Sequence, residues 1–436
     1  MDLNTVAQNV LALVQAEGVV LCDDLTELEQ VVRQAVLRVG AKAVELHLEG
    51  KTLGYEGSSR ACDGTGCTCD QKFVGRRPRT LGTLMGQVTI ARAYYHCKRC
   101  GASCCPYDQR IGLGSGHESV GLAKAAAMLS VMDPFIPAAT ILHELTGQRL
   151  GDRTVHRIAR KAGRVASDQE RQLALKMAVW SIPAAEIQAR PARLYIAVDG
   201  VMVHRTQWNE AKCVTCYWEE TDARGNTVRH SRYAVRFESV EQFKAFVWSL
   251  SMQCGLESAT EVILLGDGAA WIWEQVAGVL GPATVCITDW YHVMEHVWAC
   301  GNTLHGEGTD AAERWVKQRE TLLWDGHYRE LIERLDAERR CTRSPPKRRA
   351  LAGLAAYLTH QGGRLAYADF RAKGCDIGSG RVESACKHVV ANRMKRSGML
   401  WSDDGAQEIL SLRTAYLNGQ WEHLWATKPL ASEKAA

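Results

Sequence analysis

Two apolar runs in this chain each stop on an aspartate followed by glycine: Ile196–Val198 before Asp199-Gly200, and Val262–Leu265 a residue before Asp267-Gly268. Short β-branched runs closed by Asp-Gly predict buried strands, and a strand that ends on a carboxylate delivers it to the edge of a sheet. A third acidic island, GSGRVESACKH, places Glu383 on an expected helix. Two such strands and a helix can hold two divalent cations between them, the arrangement used for in-line attack on a phosphodiester. Each piece alone has an ordinary reading. Asp-Gly is a common turn signal, and Glu383 four residues before Lys387 is a common surface pair on a helix.

The rest of the composition limits the alternatives. At 436 residues the chain has room for about two to four domains with a sizeable core. A net charge of +4 is mild, so any nucleic-acid contact has to come from local patches. No apolar run approaches the roughly 20 residues of a membrane span, and the first residues, with Asp2 and no basic start, lack the look of a signal peptide. A cytoplasmic protein is therefore expected. Seven of the sixteen cysteines fall between Cys62 and Cys105, which points to metal binding or reduced thiols rather than a disulfide scaffold.

Periodicity divides the chain into stretches. Residues 1–48 have helical spacing, with Leu25, Leu28, Val32, Val36 and Val39 the clearest part. Residues 50–110 are rich in Gly and Cys and predict a β-hairpin feeding the Cys97-x-x-Cys100 turn. Residues 116–190 are helical. A strand series then runs through RLYIAVDGVMVH, KCVTCYWEETD and HSRYAVRFE, followed by a helix, a strand to Asp267 and a strand to Asp289. This is an α/β order compatible with a ribonuclease H-like catalytic core over 191–289 and 366–425. Residues 290–365 are expected to form an all-helical insertion, broken by SPPKRR at 344–349, ahead of the helix Arg381–Lys395 that carries Glu383.

Three further motifs have competing readings. Cys97 and Cys100 with two of Cys62, Cys67 and Cys69 predict a zinc-ribbon-like site, with Cys62 and Cys67 taken as the upstream pair; free thiols in a small loop domain are the alternative. Cys213 and Cys216 lie within a strand, where alternation sends them to opposite faces. Residues 136–165 read as helix, Gly-containing turn and helix, capped by Asp152. Val155, Ile158 and Ala162 form the inner stripe, and Arg153, Arg157, Arg160 and Arg164 the outer face. That suits a DNA-reading helix-turn-helix, or equally a plain helical hairpin. Finally, His292-x-x-Glu295-His296 matches a zinc metalloprotease pattern, although its place just after the strand ending at Asp289 argues against proteolysis.

Asp289 and His292 form a D-x-x-H after a second strand-end aspartate, and a helical stretch then leads to GSGRVESACKHVVANRMKRSGMLWS, with Glu383, Asn392, Arg393, Met394, Lys395 and Trp401. In these features, over about residues 50–425, the chain resembles bacterial insertion-sequence transposases of the ISKra and ISLre type, related to the Mutator-like superfamily. The resemblance implies a DDE transposase that cleaves and transfers DNA strands. Its Mg²⁺- or Mn²⁺-binding triad would be Asp199, Asp267 and Glu383, with Asp289 and His292 in support and structural Zn²⁺ in the cysteine module. The implied partners are double-stranded DNA, namely the element's terminal inverted repeats and target DNA, with a homodimer or larger synaptic complex. Besides the arginines above, Lys387, Arg393 and Lys395 are expected to contact phosphates near the cut. A non-enzymatic or decayed transposase-derived DNA-binding protein is the rival expectation.

Overall fold

The computed structural model describes residues 2–16, 24–51, 53–111, 113, 116–179, 181–182, 187, 189–378 and 386–426. The chain divides into two compact units, Met1–Val165 with Gln420–Ala436, and Ala166–Gly419. No helix among the described residues is long and apolar enough to cross a membrane.

The first unit opens with α1 (Leu3–Ala16) and α2 (Leu25–Leu48), the latter started by Asp24, whose carboxylate accepts from the Glu27 amide at 2.9 Å. An antiparallel sheet follows in the order β1 (Ser59–Ala61), β2 (Asp70–Thr83), β3 (Gly86–His96) and β4 (Ser103–Cys104). The hairpin β2–β3 is the expected one; its apolar side, Leu81, Val88 and Ile90, packs with Ala41 of α2. After α3 (Pro106–Arg110) come α4 (Val120–Met132), α5 (Phe135–Thr146) and α6 (Asp152–Leu175), which runs on into the second unit. Val155, Ile158 and Ala162 are buried, as the spacing of α6 requires. Asp152 is the first residue of α6 rather than its cap, and the Gly151 carbonyl accepts from the amides of Thr154 and Val155.

The second unit is built on a five-stranded sheet: β5 (Arg193–His204), β6 (Trp208–Thr221), β7 (Thr227–Arg236), β8 (Glu261–Gly266) and β9 (Val285–Thr288), in spatial order β7-β6-β5-β8-β9. The first three strands meander antiparallel, and β5, β8 and β9 run parallel. Leu194–Val198 is buried throughout, as a parallel strand covered on both faces must be. Leu194, Ile196 and Val198 with Val214, Cys216 and Trp218 form one face, packed against Phe243, Val247 and Leu250 of α7 (Val240–Gln253) and against Ile272, Val276 and Leu280. Ile272–Val276 is a π-helical turn running into α8 (Ala277–Leu280).

The expected helical block is present: α9 (Trp290–His305), α10 (Asp310–Trp324), α11 (Tyr328–Cys341), α12 (Pro345–Gln361) and α13 (Tyr367–Ala372). The break expected at SPPKRR falls between α11, which ends at Cys341, and α12, which starts at Pro345, so most of the motif lies inside α12. Pro345 and Pro346 open α12, where a missing amide costs nothing and the fixed φ already suits a helix. The chain re-enters the described residues at Cys386 in a π-helical turn, Cys386–Ala391, continued by Asn392–Met394, and α14 (Asp403–Leu417) follows. The helix anticipated through Lys395 therefore ends at Met394.

Candidate functional site

Parallel register sets the geometry of the sheet edge. Val198 pairs with Gly266, and Gly266 with Thr288, so Asp199, Asp267 and Asp289 each stand one residue beyond a single row across β5, β8 and β9. Asp199 keeps one oxygen on the Gly200 amide at 2.7 Å, and Asp267 takes the Ala269 amide at 2.8 Å. Asp289, almost fully buried, caps α9 by accepting from the His292 amide at 2.8 Å, and its own amide donates to the Gly266 carbonyl at 2.8 Å. That capping explains the D-x-x-H spacing: Asp289 starts the helix, and the helix holds His292 at the same edge.

Burial pushes the Asp199 carboxyl above the ordinary carboxylate range, and the neighbouring charge of Asp267 raises it further; the Gly200 amide, the Cys386 thiol and His292 pull the other way. A partly buried carboxylate whose ionised form is disfavoured by burial and by a neighbouring carboxylate is what a divalent cation relieves. Cys386 is the contact the sequence reading missed. Its thiol hydrogen-bonds Asp199 and lies against Cys213, the register partner of Asp199 on β6. The available signal was its position one helical turn after Glu383. Cys216 points to the opposite face, near Ser251, as alternation predicts.

The helical block braces this edge. Tyr357 of α12 donates to the Asp267 carbonyl at 3.1 Å, and burial followed by the charge of Asp267 pushes its hydroxyl pKa up. The Gln361 amide donates to the Gly268 carbonyl at 3.0 Å, while its oxygen accepts from Trp273 and Thr288, both at 3.1 Å. Gly268 has a φ of +101°, and a Cβ there would sit 2.8 Å from the Gln361 amide nitrogen and 2.9 Å from the Tyr357 hydroxyl. Gly268→Ala is therefore expected to cost about 1–3 kcal/mol and to loosen Asp267. Gly278→Ala, within α8 and with open space around it, should instead stabilise by about 0.5–1 kcal/mol. Urea denaturation of the two variants checks the contrast.

Other site residues fall as follows. Glu383 lies outside the described residues. Lys387 and Lys395 are exposed, but Arg393 is fully buried with its guanidinium 5.0 Å over the Trp401 ring, so it is no phosphate contact. Trp401 in turn donates to the Met394 carbonyl at 3.1 Å, and buried Arg413 donates to the Val389 and His388 carbonyls at 2.8 and 2.6 Å. These groups hold the turn that carries Cys386. In the first unit, Arg153 and Arg157 are exposed, Arg160 is half-buried, and Arg157 is committed to an ion pair with Glu118. His292 pairs with Glu295 at 3.3 Å and His296 stacks on Tyr357 at 4.1 Å. Among the described residues, no third ligand gathers with these histidines into a compact cluster.

That compact cluster is formed by cysteines in the first unit. The sulfurs of Cys62, Cys67, Cys97 and Cys100 all lie within 4.8 Å of one another, with Cys62–Cys100 at 3.4 Å and Cys67–Cys97 at 3.8 Å. A tetrahedral zinc with bonds of about 2.3 Å needs sulfurs about 3.8 Å apart, so the donor set can hold a metal such as zinc. Cys69 stays outside and accepts from Arg99 at 3.3 Å, which resolves the upstream pair. The amides of Cys100 and Arg99 bring the Cys97 thiol down to about 7; the Gly64 amide lowers Cys62, but burial and the neighbouring thiols outweigh it and push Cys62 up to about 12. Cys97 is thus poised to be the first thiolate.

Residues 24–426 match the family described as "Uncharacterised protein family (UPF0236)". The chain is also similar to the "UPF0236 protein in vanSb 3'region" of Streptococcus gallolyticus, with 24% identity over 354 residues, covering 79% of this chain and 74% of that protein.

Proposed function

The chain belongs to the uncharacterised protein family UPF0236, and we propose that within it this protein is a DNA transposase of the ISKra/ISLre type, acting through a ribonuclease H-like core. The observation that carries the reading is the row of Asp199, Asp267 and Asp289, each one residue past the parallel register of β5, β8 and β9. The strand order, three antiparallel strands followed by two parallel ones, supports the same reading. So do the two described ends that bracket Glu383: the Ile377 carbonyl accepts from the Trp290 amide at the start of α9, and Cys386 lies on Asp199.

In this reading Asp199, Asp267 and Glu383 supply oxygen donors for Mg²⁺ or Mn²⁺, which suits hard cations. When bound there, the cations supply activation of the attacking hydroxyl and stabilisation of the leaving oxygen. Asp289 keeps α9 in place, and His292, at the start of that helix, orients a phosphate or water near the site. The cysteine module takes structural zinc, and α5–α6 serves as the helix-turn-helix element. The substrates are the two ends of an insertion sequence and a target duplex, so at least two protomers act together.

The test is strand joining. Full-length protein is incubated with Mn²⁺, a labelled duplex taken from the DNA flanking its own coding sequence, and a plasmid target. Label transferred to the plasmid supports a transposase; cleavage without joining would reassign the same edge to a nuclease.

A further inference from the structure

Residues 339–349, RRCTRSPPKRR, contain six cations and no acid. They form the corner between the last turn of α11 and the first turn of α12. Several cations of the same block are paired, including Arg339 at the start of this run: Lys317 with Glu320, Arg319 with Glu338, Arg334 with Glu330 and Arg339 with Asp336. At the corner, Arg340, Arg343, Arg348 and Arg349 are exposed, and among the described residues none of the four has a carboxylate partner. Lys347 is occupied with the Leu304 carbonyl near the end of α9.

Stability does not explain this placement. Lys347, Arg348 and Arg349 occupy the first turn of α12, where the helix dipole already puts positive charge, so they oppose it. Four unneutralised guanidiniums on a rigid helix corner are suited to bidentate contact with phosphate oxygens. The far end of α12 carries Tyr357 and Gln361, the residues that hold the Asp267-Gly268 turn. Twelve residues of helix from Arg349 to Gln361 span about 18 Å, the length of about five base pairs.

We propose that the α11–α12 corner is a docking surface for the phosphate backbone of duplex DNA, engaging it about five base pairs from the strand held at the carboxylate edge. The inference rests on the reading of that edge as a polynucleotidyl-transfer site and adds the surface that positions its substrate. It assigns to the helical block a role in binding as well as in bracing.

The test measures binding of the full chain to a labelled duplex with no Mg²⁺ or Mn²⁺ added, where no cleavage occurs, across about 50–200 mM salt. Three proteins are compared. These are the wild type, a variant with Arg340→Gln, Arg343→Gln, Arg348→Gln and Arg349→Gln, and a control with Lys317→Gln and Arg334→Gln, which removes exposed but paired cations. Loss of four phosphate contacts should make the slope of log K against log salt shallower by about 3–4 and weaken binding by about tenfold or more, with the control within about twofold of wild type. Lysine at the same four positions should restore the slope, separating charge from folding. A glutamine variant that keeps the wild-type slope, or lysine substitution that fails to restore it, overturns the corner as a DNA surface. A folded wild type that binds no duplex would overturn the reading of the carboxylate edge itself.

Discussion

Asp267→Asn and Asp199→Asn should each lower cation-dependent strand cleavage by about 10³-fold or more while leaving duplex binding without added Mg²⁺ or Mn²⁺ unchanged. Each removes one oxygen donor from a row whose backbone positions are set by strand register, so folding should be little affected. The pH dependence follows from Asp199. Burial raises its pKa above the ordinary carboxylate value of about 3.9, so the folded protein holds that proton to higher pH than the unfolded chain does. Its contribution to stability therefore falls as pH rises through the unfolded value toward the folded one, and above that an unrelieved charge remains. A divalent cation cancels this penalty only where the carboxylate is ionised. Mn²⁺ should raise the melting temperature near pH 7 and leave it unchanged near pH 4, and Asp199→Asn should abolish the shift. A wild-type shift of equal size at both pH values would remove Asp199 from the cation site.

Stripping metal from the cysteine module should have an effect as large, expressed in folding. A structural zinc on four thiolates contributes about 10–16 kcal/mol of apparent binding free energy in small domains at neutral pH. The β1–β4 sheet carries Cys62, Cys67, Cys97 and Cys100 in its connections and has only a small core around Leu81, Val88 and Ile90. Without the metal, that core is expected to be insufficient. A strong chelator, or Cys97→Ser with Cys100→Ser, should expose amides of β2 and β3 to rapid hydrogen exchange while those of β5 and β8 stay protected. Metal content should fall from one zinc per chain to none. Unchanged protection of β2 and β3 in the double variant would mean the thiols hold nothing that matters to the fold.

Much of this was legible in residue order. The apolar runs before the two Asp-Gly pairs made β5 and β8 readable, and β8 ends where expected; β5 instead passes through Asp199-Gly200 to His204, and only its parallel pairing with β8 stops at Val198. The hairpin before Cys97, the stripe of α6 and the opposite faces of Cys213 and Cys216 followed from periodicity alone. Other features depend on contacts that no local pattern encodes. Nothing in the spacing of α12 indicates that Tyr357 and Gln361 reach back to the turn after β8, about ninety residues earlier. Arg393 was misread for a specific reason. Its charge and its place in the family-like motif suggested a phosphate contact, whereas the side chain is buried over the Trp401 ring. Ser-Pro-Pro marked the break between α11 and α12, and its prolines start α12 because proline suits the first positions of a helix. Glu383 was singled out by its motif and by family resemblance; no apolar run announces it.

The central claim is that Asp199, Asp267 and Glu383 form one cation-binding site for phosphodiester chemistry, and Glu383 is its most exposed assumption. The most direct measurement is Mn²⁺-dependent nicking of labelled duplex from the DNA flanking the coding sequence, for the wild type beside Glu383→Gln, with Mn²⁺ omitted as the blank. The account predicts nicking by the wild type that vanishes without Mn²⁺ and falls by about 10³-fold in the variant, with duplex binding equal in both. Nicking that persists in Glu383→Gln, or a folded and DNA-binding wild type that never nicks, would contradict it.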